Sequence, residues 1–337
     1  MSKLELLLKN ALNVRQENLA NFFRSPHQSA FRIFNGYSEG FPDFVVEIFA
    51  KTLVIYPTMT EYQTNTIVQI HEFYFNALPW LETSVIKPRS KKGISYLHFG
   101  SKPDHKVEEN GVWYALDLLR HQDSTLYLDT RNTRKWIFDN LQNKTVLNTF
   151  AYTGSLGAAA RVGGATRVIQ TDLDSSFLNL AKQTYLLNNL QINARDFIAE
   201  DFFKVVAHLK SLDALFDCII LDPPFFSKTQ KGNFDLNRDF TRLINKIRPL
   251  IAHNGFLIAI QNAVFVSGQS YLDELNTLCL GGYAHIADFI PVPLDFIGAG
   301  TAGEANLPAN PAPFNHSTKI AVLQFKRKDG RPSSSVS

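Results

Sequence analysis

Residues Ile219 to Phe226 read IILDPPFF. An apolar run ends in a carboxylate, two prolines and a pair of aromatics. The run predicts a buried strand whose carboxyl end opens onto a site. Asp222 there offers hydrogen-bond acceptors, and Pro223 and Pro224 stiffen the turn by fixing φ. Phe225 offers a flat face, while one of Phe225 and Phe226 is expected to pack into the core. Such a set suits holding a flat, nitrogen-bearing ring still while a group is transferred to it.

Three further strand ends carry groups of the same kind. TVLNTF (Thr145 to Phe150) is a predicted strand that enters AYTGSLGAAA. Tyr152, Thr153, Gly154 and Gly157 make a small-residue turn there, and the glycines let a backbone approach a ligand closely or pack a helix tightly. The spacing is neither Gly-x-Gly-x-x-Gly nor a triphosphate-binding Gly-Lys-Ser/Thr loop. RVIQTD ends in Asp172, roughly 20 residues on, where a carboxylate can accept both hydroxyls of a ribose. ARDFIAED ends in Asp201, which could accept from an adenine amino group. Each acid has a plainer alternative as a helix N-cap, and Asp174 could cap in place of Asp172. Taken together, the four strand ends favour an adenosyl-cofactor site over four separate caps. Hydride transfer has no task for Asp-Pro-Pro-Phe, whereas methylating a base does.

The elements that must position these groups follow the alternation of a parallel α/β sheet. FDCIILD is a fourth strand. FDLNRDFTRLINKIRPLIAHNG is predicted as one helix stopped by Gly255, and FLIAIQN as a fifth strand. YAHIADFIPVP and TKIAVLQFKR should close the sheet as an antiparallel pair. Residues 291–317 between them are rich in Gly, Ala and Pro without periodicity, which reads as a lid, a binding loop or a disordered segment, a substrate-facing role being favoured. Earlier, residues 1–105 predict a small α+β accessory domain with a basic loop, KPRSKKG (Lys87 to Gly93). A hairpin of GVWYALDLL with STLYLD should lead into a helix, TRNTRKWIFDNLQ. The catalytic domain is then 106–328, and 329–337 reads as a disordered tail.

Bulk properties agree with a globular protein of one large or two ordinary domains. The chain has 337 residues, 45% hydrophobic and 19% charged. A net charge of +3 permits a nucleic-acid partner without demanding one. Cys218 and Cys279 are the two cysteines, too far apart for a metal knuckle or disulfide framework. No metal is expected, and a reducing, cytoplasmic setting fits. No apolar run is long enough to span a membrane, and the N-terminus lacks the marks of a signal peptide. Nothing in the sequence speaks to oligomeric state.

These motifs resemble the class I S-adenosylmethionine-dependent methyltransferases. More narrowly, they are similar to bacterial large-subunit ribosomal RNA methyltransferases that carry a strand-helix accessory domain. The resemblance runs from about Phe31 to Lys326 and is carried by FNGYSEGFPDFVVE, TLYLDTRNTR, NTFAYTGSLGAAARVGGA and LDPPFFSKTQKGNFDLNRD. It implies a Rossmann-like domain with a mostly parallel seven-stranded sheet and S-adenosyl-L-methionine as cofactor. Arg131, Tyr152, Thr153, Gly154, Gly157, Asp172, Asp201 and Asp222 would hold that cofactor, with Arg131 at its carboxylate. Asp222, Pro223, Phe225 and Asn262 would hold the accepting base of an RNA. About thirty residues precede the shared region, so RNA affinity is expected from the accessory domain, the basic loop and the lid.

One departure narrows the chemistry. Relatives that make 5-methylcytosine use a cysteine just after the fifth strand, because that ring carbon is a poor nucleophile until a thiolate adds. Here the stretch is AIQNAVFVSG, with Gln261 and Asn262 and no sulfur. The likeness is closer to the branch that methylates guanine at N7, which carries asparagine there. That nitrogen already has a free lone pair, so positioning and electrostatics suffice. His316, in FNHSTK, corresponds to a late histidine of the family or is a plain loop histidine. Methylation of a protein or small molecule, 5-methylcytosine formation, and a non-catalytic assembly factor on the same fold stay open.

Overall fold

A computed structural model describes residues 2–59, 61–88, 94–120, 125–224, 226–229, 232–297 and 309–334, with backbone alone over 226–229 and 232–239. The chain divides into two units: Met1–Asp129 with Pro293–Asn306, and Thr130–Val292 with Leu307–Ser337.

In the first unit, helix α1 (Lys3–Asn18) starts at a capping box in which Ser2 and Glu5 satisfy each other's backbone N–H. Strands β1 (Ala30–Phe34), β2 (Phe44–Phe49) and β3 (Thr52–Pro57) form an antiparallel meander. Helix α2 (Thr64–Ala77) then crosses over to β4 (Thr83–Ile86), parallel to β3, and β5 (Tyr96–Phe99) closes the sheet. The helices bury Leu8, Leu12, Ile67, Ile70 and Tyr74 against Phe31, Val46 and Ile55. Gly36, in the tight turn of the FNGYSEG motif, has φ +73°, and a Cβ there would sit 2.1 Å from the Phe44 carbonyl oxygen.

Several expectations shift. The predicted hairpin partner is wrong: β7 (Val112–Ala115) pairs with β6 (Lys106–Glu109) instead of STLYLD. Asn110-Gly111 makes the turn, both residues at positive φ, as a two-residue hairpin loop requires. The first unit therefore runs past 105, because Glu108 N donates to Gln28 O within it. It also takes in residues from the expected lid. Asp295 accepts from Arg32 N at 2.8 Å, and Asn35 donates to Phe296 O at 2.8 Å. Lys87 is not a solvated phosphate ligand. It is buried, with Nζ donating to Leu118 O and Arg120 O. Residues 89–93 of that basic loop lie outside the described residues.

The second unit is a seven-stranded sheet behind helix α3 (Arg131–Asn140). Its strands are β8 (Thr145–Thr149), β9 (Arg167–Asp172), β10 (Phe197–Ala199), β11 (Phe216–Leu221), β14 (Ile251–Gln261), β15 (Ala284–Phe289) and β16 (Lys319–Phe325). A short hairpin, β12 (Phe226–Thr229) with β13 (Gly232–Asp235), stands apart from the sheet. The order is β10-β9-β8-β11-β14-β16-β15, all parallel except β16, which is antiparallel to both its neighbours. The chain steps outward from β8 to β10, then returns to β11. That reversal puts a topological switch between β8 and β11, where open sheets place their crevice. Helices α4 (Ser155–Val162), α5 (Ser175–Leu187), α6 (Phe202–Ser211), α7 (Leu236–Ile247) and α8 (Gly268–Cys279) join the strands.

The long helix predicted before Gly255 ends early. α7 stops at Ile247, because Pro249 cannot continue an α-helical ladder. The next residues are already strand, with Ile251 opposite Phe216 and a register shift before Phe256. Gly255 is therefore a strand residue and not a helix stop. The expected disordered tail is held as far as Ser334. His253 N donates to Arg331 O, and Leu215 and Ser334 exchange two bonds.

Candidate active site

At the carboxyl end of β8 the chain makes a tight, constrained loop. Phe150, Tyr152 and Gly154 have φ of 52°, 50° and 73°. For residues with a Cβ this conformation costs about 1–2 kcal/mol each, so something must hold it. Ala151 N donates to Thr171 O at 2.8 Å, and Gly154 N to Ala151 O at 2.7 Å. Tyr152 N donates to Asp172 Oδ2 at 2.7 Å. The Tyr152 ring packs on Phe177 and the Phe150 ring stacks on Phe202. Thr153, between Tyr152 and Gly154 in the loop, is buried.

The Tyr152–Asp172 bond resolves one of the open alternatives. The N-cap of α5 is Asp174, whose Oδ1 accepts from Ser176 N at 2.8 Å. Asp172 has a different task. Its two oxygens brace the glycine loop through Tyr152 N and the next turn through Asp174 N at 3.0 Å. Burial pushes its carboxyl above the ordinary aspartate value, opposed by those backbone N–H groups. With the Leu173 N–H as a third backbone donor, the carboxylate as a whole still keeps an acceptor position for a hydroxyl. Asp201 is the opposite case. Its Oδ1 caps α6 by accepting from Phe203 N and Lys204 N, so only Oδ2 is left for a ligand. Arg131 is buried at the first turn of α3.

The glycines have a steric reason. A Cβ on Gly157 would lie 2.5 Å from Gln170 Oε1, and one on Gly154 would meet Ala181 Cβ at 2.5 Å. Gln170 is fully buried and accepts from Asn148 Nδ2 at 3.2 Å. Sequence reasoning misses this polar pair beneath the loop. Its only signal is a glutamine inside the apolar run RVIQTD. Leu173 is missed too. It is an apolar residue straight after the strand-ending acid, and it is 68% exposed.

On the other side of the switch, Asp222 follows β11 and is half-buried, Pro223 is buried and Pro224 exposed. Phe225 lies outside the described residues. Asn262 follows β14, and its Nδ2 reaches Pro223 O in a long contact of 3.5 Å. Its Oδ1 is buried and has no partner among the described residues. His316 Nδ1 accepts from Thr318 N at 3.1 Å, a local turn contact. Cys218 lies fully buried inside β11, where burial pushes its thiol pKa up. Cys279 ends α8. Among the described residues no cluster of His, Cys, Asp and Glu is placed to hold a metal ion, and no helix is long and apolar enough to cross a membrane.

With this geometry in place, comparison with known proteins is decisive at the level of family. The sequence model for S-adenosylmethionine-dependent methyltransferases matches residues 86–298. The chain belongs to that family. It is 30% identical over 255 residues to ribosomal RNA large subunit methyltransferase I of Aeromonas salmonicida (strain A449), covering 73% of this chain and 64% of that protein. It is 29% identical over 256 residues to the putative ribosomal RNA large subunit methyltransferase YwbD of Bacillus subtilis (strain 168), covering 72% and 63%. The chain thus spans less than two thirds of these relatives. The crystal structure of SMU.776 complexed with SAH superposes with a TM-score of 0.83 at 21% identity, over 95% of this chain and 81% of that one. This likeness shows the class I methyltransferase fold.

The residues present fit the family's cofactor. A half-buried carboxylate, Asp172, stands at the end of β9 beside the β8 loop, while the space at Gly154 and Gly157 is taken by Gln170 and Ala181, so those glycines answer to packing. S-adenosylmethionine supplies an electrophilic methyl group on a sulfonium.

Proposed function

We propose that the protein methylates a base nitrogen of RNA, ribosomal RNA in the cytoplasm, with guanine N7 as the target atom. Arg131, the Tyr152–Gly157 loop, Asp172 and the free oxygen of Asp201 hold the cofactor, and Leu173 offers apolar surface beside its adenine. Asp222, Pro223, Phe225 and Asn262 hold the base.

The observation that carries the acceptor assignment is the pairing of Asn262 with Pro223. It ties the ends of β11 and β14 together and leaves Asn262 Oδ1 as a buried acceptor without a partner among the described residues. A buried acceptor of this kind favours a ligand that brings a donor. Guanine offers N1–H and an exocyclic amino group on one edge, matching Asn262 Oδ1 and the Asp222 carboxylate. Its N7 is on the opposite edge, and it has no proton to lose. Direct attack on the methyl carbon then needs position and electrostatics alone. The cysteine within these strands is Cys218, and its burial inside β11 argues against a covalent route. The names of the relatives, ribosomal RNA large subunit methyltransferases, support RNA as the substrate class.

The test is methyl transfer from labelled cofactor to large-subunit rRNA from a strain lacking this protein, followed by mass spectrometry of the labelled base. Label is expected in that RNA and not in RNA from the parent strain, at N7 of one guanine. Asp222→Ala should cut transfer by about 10²-fold or more with cofactor binding retained. Label entering protein or small molecules instead refutes the reading, and 5-methylcytosine refutes the choice of atom.

A further inference from the structure

The turn after β14 is held firmly, yet it presents apolar side chains to solvent. Val266 N donates to Ala263 O at 3.3 Å, closing a β-turn with Val264 and Phe265 at its corners. Ala263 is anchored on both backbone groups. Its N–H donates to Gln261 Oε1 at 3.0 Å, and its carbonyl also accepts from Lys319 Nζ at 3.0 Å. Lys319 is 0% exposed and stands opposite Gln261 in the β14–β16 pairing. Its ammonium also donates to Ser317 O. Among the described residues no carboxylate pairs with it.

An ammonium buried without a counter-ion is an expensive anchor. Burial pulls its pKa down to about 8, which shows how poorly the site suits the charge. What the anchor holds is unusual as well. Val264 is 39% exposed and Phe265 66% exposed, and neither is a residue that turns favour. Core packing does not explain Phe265, and neither does turn chemistry. Position does: the turn begins one residue after Asn262, beside the proposed acceptor site. Removing a base from its stack for methylation leaves the neighbouring base with a bare face. Any base can stack on an exposed aromatic ring, whatever its sequence.

We propose that Phe265, with Val264, is a stacking platform for the nucleotide flanking the target base, and that Lys319 is the positioning residue that fixes this platform beside the acceptor site. The proposal rests on reading Asp222, Pro223 and Asn262 as the acceptor site.

The experiment uses the full chain and large-subunit rRNA from a strain lacking it. Phe265→Ala should raise KM for that RNA by about tenfold or more, the scale of one lost base–aromatic stack. Its kcat should stay within about threefold, as for loss of uniform binding, and its cofactor affinity should not change. Phe265→Trp should keep the wild-type KM, and the indole fluorescence it adds should fall when the RNA is bound. Lys319→Met should raise the RNA KM in the same direction with cofactor affinity unchanged. A wild-type KM in Phe265→Ala overturns the platform, as does added fluorescence in Phe265→Trp that saturating RNA leaves unquenched. A wild-type KM in Lys319→Met removes that residue from it. Asp222→Ala separates the two levels. If it still methylates the RNA at the wild-type rate, the acceptor reading itself has failed. If it is inactive while Phe265→Ala is normal, only the platform is lost.

Discussion

Replacing Gly154 by alanine probes the cofactor loop through two separable effects. Gly154 has φ +73°, and a Cβ there would sit 2.5 Å from Ala181 Cβ and 2.6 Å from Gln170 Oε1. The left-handed conformation costs an L-residue about 1–2 kcal/mol. The collision adds about 1–3 kcal/mol, because Ala181 is fixed on α5 and Gln170 is fully buried, so neither can step aside cheaply. The sum is roughly 2–5 kcal/mol. At about 2–4 °C per kcal/mol for a unit of this size, the melting temperature should drop by roughly 4–20 °C. Gly282 provides the control. It has φ +71° and nothing within 4 Å of the added Cβ, so Gly282→Ala should show the conformational part alone. Urea unfolding of both variants, with calorimetric titration of the cofactor, measures the difference. Gly154→Ala should be the less stable by about 1–3 kcal/mol and should also bind cofactor more weakly, while Gly282→Ala binds normally. Equal stabilities would refute the claim that the buried wall of Ala181 and Gln170 dictates glycine here.

Other expectations follow from the same side chains. Asp172→Ala removes the acceptor that braces Tyr152 N, and calorimetry should show cofactor affinity reduced by about tenfold or more, in line with one charged hydrogen bond; unchanged binding would sink the assignment. Burial raises the Asp172 carboxyl above its ordinary value, so cofactor affinity should fall on acidification at a higher pH than an ordinary aspartate predicts, and Asp172→Asn should lose that dependence. Lys319 has its folded-state pKa depressed from 10.5 to about 8. The unfolded chain then binds more protons between those values, so stability rises with pH across that window, by at most about 3 kcal/mol. Lys319→Met should flatten this slope in urea titrations at about pH 7.5 and 9.5, either side of the folded-state value, and parallel curves for the two proteins would refute the burial argument.

Much of the catalytic unit is legible in the residues themselves. Short apolar runs ending in Asp172 and Asp222 are strands because both faces of a parallel sheet are buried, and burial writes itself as continuous hydrophobicity. The glycines are legible as a close approach, but residue type leaves open whether a ligand or a packed neighbour makes it, and Gln170 and Ala181 are the neighbours found there. What fails does so for local reasons. The stretch IAHNGF reads as a helix end because glycine commonly stops helices, but Pro249 has already ended the helix and the residues after it pair with β11. The expected hairpin joins the wrong strands although Asn110-Gly111 carries the signal. Lys87 reads as a surface charge because sequence does not record which carbonyls will surround an ammonium.

The sequence by itself determined which strand ends carry acids, where the glycines fall, and that the stretch directly after β14 holds no cysteine, because those depend on residue type and local order alone. Tertiary structure decided the rest. It made Asp174 the helix cap and Asp172 the brace of the glycine loop. It also placed Gln170 under two glycines, and Lys319 beneath the turn that carries Phe265. Apart from the local Asp174 cap, each of these is a contact between side chains and loops carried by different strands, formed only when strand pairing brings their ends to one edge of the sheet. No local pattern encodes which distant side chain will fill that space.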